Sequence, residues 1–92
     1  MSDFDLHQVP SLRRGFRLQW EPVQNCHVLL YPEGMIRLNE SAAAIANQID
    51  GQRDVSVIIH NLNTLYPDVP ELAEDVVQFM EVASEKFWIE LR

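Results

Sequence analysis

The chain has 92 residues, 47% of them apolar, and carries fourteen acidic side chains against seven lysines and arginines, for a formal charge of -7. This is enough for one small domain whose core buries roughly 60–65% of the unfolded surface. The charge disfavours nucleic-acid phosphates and anionic membranes as partners and favours a basic one, while also keeping a small protein in solution.

Residues 1–12 are expected to form a flexible N-terminal arm, because they are polar with scattered apolar positions and include Val9-Pro10-Ser11. Such arms can dock on a second copy, so a monomer and an arm-swapped homodimer both stay open. The start, MSDFDLHQVP, has neither the basic residues nor the apolar run of a signal peptide. With no apolar run of membrane-spanning length, the cytoplasm is the expected location.

A single domain is expected over 13–92. Phe16, Leu18 and Trp20 alternate with Arg17 and Gln19, a period of two that predicts a strand over 13–20. Glu21-Pro22 breaks it and Gln24-Asn25 continues the turn. CHVLLY, residues 26–31, is a second strand. Pro32-Glu33-Gly34 is a turn, with Pro fixing φ and Gly tolerating a positive φ. A short third strand follows from Met35 to Leu38.

The period then becomes helical. Asn39 is a good N-cap for a helix with Ala42, Ile45, Ala46 and Ile49 on one face and Gly51 at its C-terminal cap. Asp54 caps a second helix, which buries Val55, Ile58, Ile59 and Leu62 and stops at Tyr66-Pro67. A third helix opens at Pro70 with a stripe of Leu72, Val76, Phe79, Met80 and Ala83. Its early acids, Glu71, Glu74 and Asp75, suit the positive end of the helix dipole. Phe87 to Leu91 is either a closing strand or an extended tail. The fold class is therefore α+β, a three-stranded antiparallel sheet followed by three helices.

Catalytic chemistry finds no support in these residues. His7, His27 and His60 share no ligand spacing with each other or with Cys26, so no metal site is expected. Cys26 and His27 are strand neighbours that point to opposite faces and cannot form a nucleophile–base pair. The lone cysteine excludes an intrachain disulfide and fits a reducing compartment. No GxSxG surrounds Ser41, and three glycines do not make a phosphate-binding loop. The acids of the third helix are read as its solvated side, with Asp75 set apart because it borders the apolar stripe and could meet Arg17 or Arg37. The expectation is a non-catalytic binding domain without cofactor. Its most useful feature is geometric: the strand from Met35 to Leu38 lies at a sheet edge near an apolar helix. Such an edge either accepts an added strand from another chain or is covered by the arm or a second subunit.

Arg14-Gly15-Phe16-Arg17-Leu18, Leu29-Leu30-Tyr31-Pro32-Glu33-Gly34, Leu38-Asn39-Glu40-Ser41-Ala42, Asp50-Gly51 and Asp75-Val76 occur in an order and spacing that resemble the PqqD family over residues 13 to 91. The resemblance implies a winged-helix-like fold and a role as a peptide chaperone, a recognition element for ribosomally made peptides. It implies binding of the precursor peptide PqqA and its presentation to PqqE, a radical S-adenosylmethionine enzyme that cross-links a Glu and a Tyr within the peptide. Carried over by position, the implied peptide-binding residues are Met35, Ile36, Arg37 and Leu38 on the strand and Leu72, Asp75, Val76 and Phe79 on the helix. The family often has Lys-Gly where this chain has Lys86-Phe87, which puts the closing strand in question. The alternatives are winged-helix DNA binding and a dimerising subunit of a larger assembly. DNA binding is disfavoured by five acids and one lysine over residues 70–86.

Overall fold

The computed structural model describes residues 4–92, so the first three residues of the expected arm lie outside the described residues. The elements are β1 (Pro10–Leu12), β2 (Arg17–Glu21), β3 (Cys26–Tyr31), β4 (Gly34–Arg37), α1 (Glu40–Ala46), α2 (Val55–Leu65), α3 (Leu72–Glu85) and β5 (Ile89–Leu91). Strands β2, β3 and β4 form an antiparallel sheet in sequence order, and the three helices follow it, an α+β winged-helix-like arrangement.

The part of the expected arm nearest the sheet is a structural element. Pro10–Leu12 pairs antiparallel with Ile89–Leu91, and Val9 and Arg92 exchange both backbone hydrogen bonds. Bonded and non-bonded pairs alternate along such a ladder. Pro10 therefore falls at a non-bonded position, where a missing N–H costs nothing. Upstream, the carbonyls of Leu6 and Gln8 accept from the Ser56 and Val55 amides, tying the segment to the first turn of α2.

The strand expected over 13–20 is shorter. Gly15, with φ of +92°, and a bond from the Phe16 N–H to the Arg13 carbonyl make a tight turn that separates β1 from β2. At the β3–β4 hairpin Tyr31 pairs with Gly34, leaving Pro32-Glu33 as the loop. Gly34 is not among the residues with positive φ. What a Cβ there would meet is the Tyr31 hydroxyl, at 3.6 Å.

Both predicted caps form. Asn39 Oδ1 accepts from the Ala42 N–H at 2.8 Å, and Asp54 Oδ1 accepts from the Val57 N–H at 2.9 Å. Helix α1 ends at Ala46, earlier than the apolar spacing predicts. Gly51, at φ +78°, belongs instead to the loop before α2. There Asp50 Oδ1 accepts from the Gln52 and Arg53 amides, and these bonds, that to Arg53 first, hold its carboxyl below the ordinary 3.8. Helix α3 begins at Leu72, after Glu71 adopts a left-handed conformation.

Two buried clusters share a boundary. Val55, Ile58, Leu62, Leu72, Val76, Met80, Ala83 and Ile89 fill the space among the helices and β5. Leu29, Leu38, Ala43 and Ala46 join the sheet to α1. Leu12, Phe79 and Trp88 pack against both clusters. The β1–β5 ribbon thereby ties the two ends of the chain to both the helices and the sheet. No helix among the described residues is long and apolar enough to cross a membrane.

Candidate functional site

Strand β4 is an edge of the sheet, with no strand beyond it among the described residues. Which of its backbone groups are free follows from the register. The Leu38 N–H donates to the His27 carbonyl at 3.0 Å, so that pair is hydrogen-bonded. Alternation then makes Leu29–Ile36 and Tyr31–Gly34 bonded pairs and Val28–Arg37 and Leu30–Met35 non-bonded ones. Met35 and Arg37 therefore turn their N–H and C=O groups outward, and Ile36 turns its own inward.

The side chains divide the other way. Ile36 and Leu38 point to the helical side and pack with Ala42 and Phe79 on the cluster around Leu29. Met35 and Arg37 point to the opposite face and are exposed, with the Met35 sulfur accepting from Gln24 Nε2 at 3.4 Å. Just past the end of β4, a shallow groove of about 340 Å³ runs between the first turn of α1 and α3. It is lined by Asn39, Ser41, Ala42, Asp75, Phe79 and Val82 among others.

The structure thus separates the eight residues expected at the site. Met35 and Arg37 supply free backbone, while Ile36, Leu38 and Phe79 make the apolar wall. Asp75 reaches the groove, where it has no ion pair with Arg17 or Arg37. Leu72 and Val76 face inward, Val76 at 0% exposure, and shape α3 from beneath. Phe79 is more than a surface wall, since it packs against both buried clusters. Sequence reasoning missed Asn39, Ser41, Ala42 and Val82. Ala42 and Val82 were legible as apolar positions, but only the crossing of α1 and α3 puts them on one groove.

Electrostatically the neighbourhood is acidic. Glu74 and Asp75 lie exposed on the first turn of α3 and Glu71 lies exposed just before it, so this end of the helix repels phosphate. The Cys26 and His27 side chains lie on opposite faces of β3, His27 edge-on to Trp20 at 5.2 Å. No group of three or more potential metal ligands occurs among the described residues.

Comparison with known proteins converges on one family. The family model described as coenzyme PQQ synthesis protein D (PqqD) matches residues 26–89. A protein of Stutzerimonas stutzeri described as PqqA binding protein is 63% identical over 92 residues, covering 100% of both chains. Another so described, from Azotobacter vinelandii, is 57% identical over 91 residues and covers 99% of each. Among solved structures, the solution NMR structure of the PqqD truncation of Methylobacterium extorquens PqqCD, described as a stand-alone RiPP recognition element, matches with a TM-score of 0.78. It is 34% identical and covers 95% of this chain and 94% of that one.

Proposed function

The chain belongs to the PqqD family of coenzyme PQQ synthesis proteins, and from that premise we propose that it binds the precursor peptide PqqA as a strand added to β4 and presents it to the radical S-adenosylmethionine enzyme PqqE. The family role is one of binding, without catalysis. One observation carries the mode of binding: the outward N–H and C=O groups of Met35 and Arg37 lie beside an apolar wall of Ile36, Leu38 and Phe79.

Up to four backbone hydrogen bonds are available there, each worth about 0.5–1.5 kcal/mol net. Together with apolar side chains seated toward Ala42, Phe79 and Val82, they reach the scale of micromolar affinity, about -8 kcal/mol. The ladder supplies affinity and the groove selects the peptide's register. Asp75 and its acidic neighbours favour a cationic position in the bound segment. Presentation requires no chemistry from this chain, only a higher local concentration of peptide at the enzyme in a fixed orientation.

The test is a titration of the isotope-labelled protein with synthetic PqqA, followed by amide resonances. The largest shifts are expected at Met35 and Arg37, with smaller ones at Asp75 and Phe79. Binding that moves the β1–β5 ribbon and leaves β4 unchanged would exclude this mode.

A further inference from the structure

We propose that a second hollow, on the opposite side of α1 from the groove, takes an arginine or lysine side chain of the same bound peptide. This rests on the strand-addition reading above and adds a subsite to it. The hollow has a volume of about 520 Å³. The sheet supplies Trp20 and His27, a cross-strand pair at a non-bonded position, where side chains stand closest. Their ring centroids lie 5.2 Å apart, edge to face. Helix α1 supplies Glu40, Ala43, Ala44 and Asn47, whose spacing of three and four residues puts them on one side of the helix. Tyr66 lines the hollow from the end of α2. Ala42 and Ile45, on the other side of α1, line the groove, and Ser41 in the first turn lines both.

Two exposed rings and one carboxylate select the occupant. Trp20 is 48% exposed and Tyr66 47%. Glu40 has no ion-pair partner among the described residues, and no lysine or arginine lines the hollow. Ring faces attract a cation, and the carboxylate supplies its counter-charge. The small Ala43 and Ala44 leave room for the aliphatic stem of such a side chain. An apolar occupant would desolvate Glu40 without compensation, and an acidic one would be repelled by it. The same peptide reaches both sites. Trp20, His27 and Leu38 lie in one row across the sheet. A strand added to β4 stands three strand spacings from β2, about 14 Å. About four or five extended residues beyond the ladder therefore carry the peptide past Ser41 to the hollow. The consequence is register. Backbone ladders repeat every two residues, so β4 by itself admits slips of two, whereas a cation held at a fixed distance selects one.

The test uses the labelled full chain and synthetic PqqA in which each arginine is replaced in turn by citrulline and each lysine by norleucine. The Trp20 indole N–H resonance, told from that of Trp88 by its loss in Trp20→Phe, should move with the Met35 and Arg37 amides when unmodified PqqA binds. One neutral replacement should return the indole to its free position and weaken binding about tenfold, leaving the β4 amide shifts in place. Glu40→Gln should weaken unmodified PqqA about fivefold and leave the affinity of that neutral peptide unchanged. An indole that stays still while Met35 and Arg37 move would overturn the subsite and leave strand addition standing. An indole that moves with every neutral peptide would show an uncharged occupant and overturn the assignment of a cation, as would a Glu40→Gln effect equal for both peptides. Unmoved Met35 and Arg37 amides would remove strand addition itself, and this subsite with it.

Discussion

Replacing Arg37 by proline separates the role of β4 as a docking edge from its role in the fold. The Arg37 N–H faces outward and makes no bond to β3, so removing it leaves the sheet's own ladder intact. Ile36 before it is already extended, as a residue preceding proline must be. The bound peptide, in contrast, loses a net hydrogen bond of about 0.5–1.5 kcal/mol and keeps an unsatisfied carbonyl costing about 1–3 kcal/mol. The sum is on the order of 2–4 kcal/mol, a fall in affinity of roughly 30- to 1,000-fold. Ile36→Pro reverses the pattern. Its N–H belongs to the bonded pair with Leu29, so the fold should lose about 2–3 kcal/mol. Arg37→Ala, which removes only an exposed side chain, should weaken binding by less than about 1 kcal/mol. Titration calorimetry with PqqA and urea unfolding of the three variants give both readings. Arg37→Pro with wild-type affinity, or Ile36→Pro as stable as Arg37→Pro, would refute the assignment of outward and inward amides.

Phe87 sits in the left-handed region at φ +62° and is 67% exposed, with the Arg13 guanidinium 5.6 Å from its ring. Phe87→Gly removes both ring and strain and Phe87→Ala removes the ring alone, so the glycine variant should be the more stable by about 1 kcal/mol in urea unfolding. Asp54 is held below the ordinary 3.8 by hydrogen bonds from the Ser56 hydroxyl and the Val57 amide, in that order. A carboxyl depressed in the folded state stabilises the fold above its unfolded value near ~3.9 and loses that contribution as pH falls through the folded value. The thermal midpoint should therefore hold from neutral pH to about pH 5 and decline below about pH 4. Asp54→Asn, which still caps but does not titrate, should show a shallower decline.

Much of this protein is legible in its sequence, and the reason is locality. The strand alternation at Leu18 and Trp20, the caps Asn39 and Asp54, and the helical stripes ending at Leu62 and Ala83 each depend on a few neighbouring residues. The structure bears out all of them apart from their boundaries. The absence of a glycine at Phe87 is also legible in the sequence and bears on the closing strand. In the fold Phe87 takes the left-handed turn itself, and β5 forms.

The β1–β5 ribbon was not legible, because its pairing joins Pro10 to Leu91 and no local period announces a contact of that range. The placement of Phe79 on two clusters and of Ala42 opposite Val82 also depends on how α1 crosses α3. Sequence by itself determined which segments are strands and helices, which faces they bury, and the family to which they belong. Tertiary structure alone decided which amides of β4 face away from the sheet. That depends on hydrogen-bond alternation counted from a partner strand, and side-chain chemistry leaves no trace of it.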